Sequence, residues 1–100
     1  MKVEVTFLVP TVENDTKRKH PYTRIEDLEK YLDEKYEGFQ GPMLTPGSYK
    51  GQSEESWKYK VAMSENQVEE FKKFLRKYVR IIFHQKVIYC EIKGEAEFME

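Results

Sequence analysis

Residues 64–99 decide the fold. The stretch opens Ser64-Glu-Asn-Gln-Val-Glu-Glu-Phe71 and continues with Phe74, Leu75, Tyr78, Val79 and Ile82. It then changes period at Val87-Ile-Tyr-Cys-Glu-Ile92 and closes Lys93-Gly94-Glu-Ala-Glu-Phe-Met99. Ser64 followed three residues later by Gln67 is a capping box, in which each side chain satisfies a free backbone N–H of the first turn. The apolar residues from Val68 to Ile82 recur at three and four, so they form one broad helical stripe. Glu65, Glu69 and Glu70 stand at its start and Lys72, Lys73, Arg76, Lys77 and Arg80 toward its end, as the helix dipole favours. The spacing predicts a helix from Ser64 to about His84. Past it, Ile88, Cys90 and Ile92 share one face of a strand and Val87, Tyr89 and Glu91 the other. Lys93-Gly94 reads as a two-residue hairpin turn returning an edge strand through Phe98.

The N-terminal half supplies the rest of the plan. Lys2 to Val9 alternates, with Val3, Val5, Phe7 and Val9 on one face and Glu4, Thr6 and Leu8 on the other, which is a half-buried strand. Residues 10–22 read as a polar loop with a turn at Asn14-Asp15. Thr23 and Glu26 read as a second capping box, and Ile25, Leu28, Leu32 and Tyr36 predict a helix over 23–37 that Gly38 stops. Residues 38–47 hold three glycines and two prolines and read as an irregular connection carrying Phe39, Met43 and Leu44. A short strand is predicted at 48–50 and a hairpin loop at 51–55. A clear strand follows, with Trp57, Tyr59, Val61 and Met63 alternating against Lys58, Lys60 and Ala62. The expected fold is one α+β domain over residues 1–100. It is a ferredoxin-like βαββαβ sandwich, two helices on one face of an antiparallel sheet, with an extra C-terminal edge strand.

Composition excludes several classes. The chain has 100 residues, 39% of them hydrophobic, and a formal charge of −1. No apolar run approaches the roughly 20 residues of a transmembrane helix. Met1-Lys-Val-Glu-Val5 lacks the apolar core of a signal peptide, and the single Cys90 permits no internal disulfide. A cytoplasmic setting without membrane contact is expected. A charge near zero gives no general attraction to nucleic acid, and Phe7, Trp57 and Tyr59 fall in the inward register, where they offer no platform for stacked bases. Nucleic acid is therefore an unexpected partner.

Strand one ending Val9-Pro10-Thr11, then Asn14-Asp15, Gly38-Phe39 and the segment around Gly47 and Tyr49, resembles a group of small uncharacterised microbial proteins. Those proteins close on an aromatic, x-Gln-x-x, an aliphatic, an aromatic, x and an acid, which stands here as Phe83-His84-Gln85-Lys86-Val87-Ile88-Tyr89-Cys90-Glu91. The resemblance implies the fold and brings no activity. The topology also resembles dimeric α+β-barrel monooxygenases and isomerases, a likeness of fold alone.

Candidate sites follow from polar clusters. His84, with Gln85, Tyr89 and Glu91, offers a general base with Glu91 or Tyr89 as its orienting partner, although a histidine at a helix C-terminus followed by an exposed strand face is the plainer account. Lys17-Arg18-Lys19-His20 offers a small anion patch, set against the plainer reading of a solvated loop. Two histidines and one cysteine provide no metal-ligand spacing, and the glycines form no phosphate loop, so no metal and no cofactor is expected. The open sheet face carries Leu8, Ala62, Val87 and Tyr89 among charges and reads as a homodimer interface or a seat for another protein. The alternative is a small-molecule binder or cofactor-independent enzyme of the α+β-barrel type. Its pocket would lie between that face and the loops, lined by Tyr89, Glu91 and Tyr49 and closed by Phe39, Met43 and Leu44.

Overall fold

The computed structural model describes residues 2–12, 18–83 and 87–99, with only the backbone of Tyr22 and Tyr49. The expected turn at Asn14-Asp15, and Lys17, His84, Gln85 and Lys86, lie outside the described residues. The elements are β1 (Lys2–Pro10), α1 (Tyr22–Lys35), β2 (Phe39–Tyr49), β3 (Gln52–Ser64), a 3-10 turn (Glu65–Gln67), α2 (Val68–Ile82), β4 (Ile88–Ile92) and β5 (Glu95–Met99).

All strands join one antiparallel sheet in the order β2-β3-β1-β4-β5. The expectation of a ferredoxin-like βαββαβ sandwich is corrected by this layout. Among the described residues the sheet has five strands in that order, and the helical elements are two α-helices and a 3-10 turn. The order follows from the pairings, with β1 between β3 and β4 and β2 outside β3, and two tight junctions complete it. Lys93 and Gly94 both take positive φ, 53° and 79°, the backbone of a type I′ turn. They bring β5 into full register with β4, from Ile92 opposite Glu95 to Ile88 opposite Met99, and Met99 enters the core. At the other junction Ser64 N–H donates to Gln67 Oε1 at 2.9 Å, so the capping box closes a 3-10 turn before α2 begins.

β1 is the middle strand. Val5, Phe7 and Val9 are fully buried against Leu28 and Leu32 of α1 and Phe71, Leu75 and Val79 of α2, with Tyr59, Val61 and Met63 of β3 beside them. The two helices are locked to each other by aromatics. Tyr31 of α1 stacks on Phe74 of α2 with ring centroids 3.7 Å apart, and Tyr78 donates a hydrogen bond to the Arg24 carbonyl at 2.8 Å.

The N-terminal helix departs from its expected caps. It starts at Tyr22 after Pro21 and has no side-chain cap, so Thr23 lies inside the first turn and the Thr23–Glu26 box does not form. Pro21 takes the N-cap position instead, and its carbonyl accepts from the Arg24 N–H at 3.0 Å. Gly38 does not take a left-handed conformation. The helix ends instead on an extended Tyr36 whose N–H donates to the Leu32 carbonyl.

The larger correction is β2. Residues 39–47, expected as an irregular connection, belong to an eleven-residue strand paired with β3. A bulge at Gly41-Pro42 interrupts the pairing between Gln40 and Met43. An edge strand tolerates a proline because its outer N–H has no partner to lose. The hairpin loop expected over 51–55 shrinks to Lys50-Gly51, both at positive φ, another two-residue turn.

Truncating the stripe of α2 tests this packing. Phe71→Ala and Leu75→Ala, both at fully buried positions, should each lower the unfolding free energy by about 2–5 kcal/mol. Urea denaturation curves measure this, and wild-type midpoints in both variants would mean that α2 buries another face.

Candidate functional site

The face of the sheet away from the helices is the candidate site. Strand alternation assigns its members, and the registers arrange them in rows. One row crosses Gln40 of β2, Lys60 of β3, Thr6 of β1, Glu91 of β4 and Ala96 of β5. The next crosses Met43, Lys58 and Leu8, and one step past the Phe7–Cys90 pair the same register continues to Tyr89, which pairs with Phe98. Thr6 is only 8% exposed although no helix covers it. Its neighbours in the row are the long side chains of Lys60 and Glu91, whose stems shield it.

Tyr89 and Glu91 come together as the sequence suggested. The Tyr89 hydroxyl donates to Glu91 Oε2 at 2.8 Å. That hydrogen bond, ahead of burial, raises the phenol above its ordinary value. The Tyr89 ring meets Phe98 edge to face at 5.4 Å. Of the four apolar residues expected on this face, Leu8, Val87 and Tyr89 are half-buried and Ala62 is exposed. Val87 precedes β4 and stands outside its ladder. His84 lies outside the described residues, as does the Tyr49 side chain.

Two members were missed from sequence. Met43 is 59% exposed and Phe98 55%, and both belong to the Leu8–Tyr89 row. Phe98 was legible, because the Lys93-Gly94 turn sets it opposite Tyr89. Met43 was not, because its segment did not read as a strand.

The expected pocket beside this face is shallow. A hollow of about 190 Å³ is bordered by Leu8, Pro10, Pro46, Tyr89 and Phe98, and Glu91 is not part of its lining. Ligand cavities run from roughly 300 Å³ upward, so the face is a platform with a dimple. Of the three loop residues expected to close a pocket there, Phe39 packs on Tyr59 in the core, Leu44 turns to the helix side opposite Trp57, and Met43 stays exposed.

The described part of the basic loop, residues 18–20, is tied to the segment that follows β1. His20 N–H donates to the Thr11 carbonyl at 3.2 Å, and Lys19 pairs with Val12 in a short bridge. The His20 ring meets Phe83 edge to face at 4.6 Å. Its Nδ1 lies 2.7 Å from Arg24 Nη1; a guanidinium only donates, so Nδ1 accepts. On α2, Lys72 lies 2.8 Å from Glu97 of β5 and 3.7 Å from Glu69, one turn before it. A wide hollow of about 590 Å³ beside Lys72 is lined by Glu65, Lys93 and Glu97. Its charges pair among themselves, Glu65 with Lys93 and Lys72 with Glu97.

Among the described residues, no group of three His, Cys, Asp or Glu side chains could hold a metal ion. No described helix is long and apolar enough to cross a membrane. In comparison with known proteins, the chain matches no family model, no curated protein and no solved structure.

Burial pushes the Cys90 thiol up to about 11, with Glu97 adding to the shift and Lys72 opposing it. A thiol held neutral is a poor nucleophile. An aromatic disulfide reagent should therefore modify Cys90 slowly in the folded protein and at once after unfolding; rapid modification of the folded form would place the thiol at the surface. The buried tyrosines give a second test. Burial, and then Asp27, raise Tyr78 from 10.0 to about 12, and burial with Tyr31 raises Tyr36. A phenol with a raised folded pKa stabilises the fold in its neutral form. That stabilisation is complete below the unfolded value and is lost as pH climbs through the folded one. Stability should thus fall between about pH 10 and 12, and Tyr78→Phe should flatten the decline. Denaturation midpoints against pH decide it, and an unchanged slope in the variant would remove Tyr78 from the account.

Proposed function

We propose that the protein is a non-enzymatic interaction module that pairs with a second copy of itself through the open sheet face. The observation that carries this reading is the self-complementarity of the two rows. β1 is the middle strand, so a two-fold axis parallel to β1 and lying over the face sets β3 of one copy on β4 of the other, and β2 on β5. Positions along the rows are preserved by that rotation. Lys60 then meets the partner's Glu91 twice, once from each side of the axis. Lys58 comes over the partner's Tyr89 ring, a cation–π geometry. Met43 meets the partner's Phe98, and Leu8 meets its own copy. Such an interface is isologous, as closed dimers require, and aligned sheets pack in this manner.

The apolar row supports association on a second ground. Met43 and Phe98 are more than half exposed, and Leu8 and Tyr89 extend the same strip. Leu8, Tyr89 and Phe98 lie on three adjacent strands, with Met43 beyond Lys58, and clustered apolar surface marks contact sites where scattered apolar residues do not. A single-stranded nucleic acid fits the face less well, because Glu4 and Glu91 stand among its lysines. The single, buried cysteine suits a reducing, cytoplasmic setting.

Sedimentation at micromolar concentration tests the reading. Wild type should be a dimer and Tyr89→Glu a monomer. Lys60→Glu and Glu91→Lys should each weaken the dimer, and the two together should restore it. A wild-type monomer overturns the proposal, and failure of the double exchange to restore pairing overturns the proposed axis.

A further inference from the structure

A separate cavity of about 430 Å³ lies at the sheet end nearest the start of α1. It stands on the helix side of the sheet, away from the dimerising rows. Its volume falls in the range of small-molecule sites, roughly 300–1,000 Å³. Ile25, Leu44, Val12 and Trp57 give it apolar walls. Three separate parts of the fold supply them: α1, the β2–β3 hairpin, and the bridge between Val12 and Lys19.

The polar groups are few, and the geometry distinguishes them. Glu29 sits one helical turn after Ile25 on the same face of α1 and is half-buried. Its Oε2 accepts a hydrogen bond from the Tyr59 hydroxyl at 2.8 Å, and Tyr59 itself is fully buried. The carboxylate is thus held in place by the core, and a carboxylate has a second acceptor oxygen. His20 also borders the cavity, but its Nδ1 accepts from Arg24, so the guanidinium is turned to the ring. Lys19 and Glu55 are exposed at the rim, where water screens them.

We propose that this cavity binds an organic cation carried on a compact apolar body, such as an arylalkylamine or a quaternary ammonium. Glu29 supplies the fixed counter-charge. Trp57 supplies an aromatic wall, the side chain that attracts cations best. Val12, Ile25 and Leu44 take the apolar body out of water.

Trp57 is the one tryptophan of the chain, so intrinsic emission reports on this cavity. The full-length protein is titrated with benzyltrimethylammonium and phenethylamine, and in parallel with 3-phenylpropionate and 2-phenylethanol. The two cations should change Trp57 emission saturably at up to millimolar concentration, and the acid and the alcohol should bind at least about tenfold more weakly. Glu29→Gln keeps an acceptor for the Tyr59 hydroxyl and should weaken cation binding by about tenfold or more. Leu44→Arg, at a position 49% exposed, should abolish binding without unfolding the protein, and it decides the matter if Glu29→Gln does not fold. Equal or tighter binding of 3-phenylpropionate overturns the proposal. So does the absence of a saturable change with either cation, or unchanged affinity in a folded Glu29→Gln or Leu44→Arg variant.

Discussion

The ring of Phe7 is the contact on which the rest of the structure depends. It stacks on Tyr59 of β3 at 5.4 Å and nearly parallel, and it meets the edge of Phe71 of α2 at the same distance. Through Tyr59 it is tied to α1 as well, because the Tyr59 hydroxyl reaches Glu29. One residue of the middle strand therefore fixes the position of a neighbouring strand and of both helices. It also fixes the phase of β1. With Phe7 inward, Thr6 and Leu8 must face outward, and a slip of one residue would exchange the two sets. The rows of the open face are a consequence of how the core packs.

Much of this was legible from local chemistry. The alternation of Val3, Val5, Phe7 and Val9 identifies a strand with one buried face, and all four are buried. The Ser64–Gln67 box and the stripe from Val68 to Ile82 identify α2, and Lys93-Gly94 identifies the last hairpin. The α1 cap misled because Thr23 and Glu26 have the spacing of a box but stand behind a proline that already starts the helix. The layout as a whole departed from the expected sandwich chiefly at β2, because residues 39–47, whose glycines and prolines read as a connection, pair along β3 as a strand, and a separate 3-10 turn precedes α2.

The candidate site divides in the same way. Leu8 and Tyr89 were readable from strand phase, and Glu91 from its place two residues on. Met43 and Leu44 were hidden by their neighbours, since glycine and proline clusters ordinarily mark loops. The contribution of His20 was hidden for another reason. Its neighbours in sequence are charged, but its neighbours in space are Phe83 and Arg24, contacts that depend on the assembled core.

Gly41 links these readings. Its φ is +117°, and a Cβ there would stand 2.5 Å from the Lys58 carbonyl oxygen, so only glycine fits. The bulge it allows sets Gly41 and Pro42 together against Tyr59 and advances the strand by one residue. Before the bulge, Phe39 opposite Val61 faces the core; after it, Met43 opposite Lys58 faces out and Leu44 opposite Trp57 faces in. Without the extra residue Met43 would lie on the helix side and Leu44 on the open face. The apolar row would then lose its end on β2, and the cavity beside Glu29 would have a different wall. A single backbone irregularity on an edge strand thus apportions the hairpin's side chains between the two surfaces.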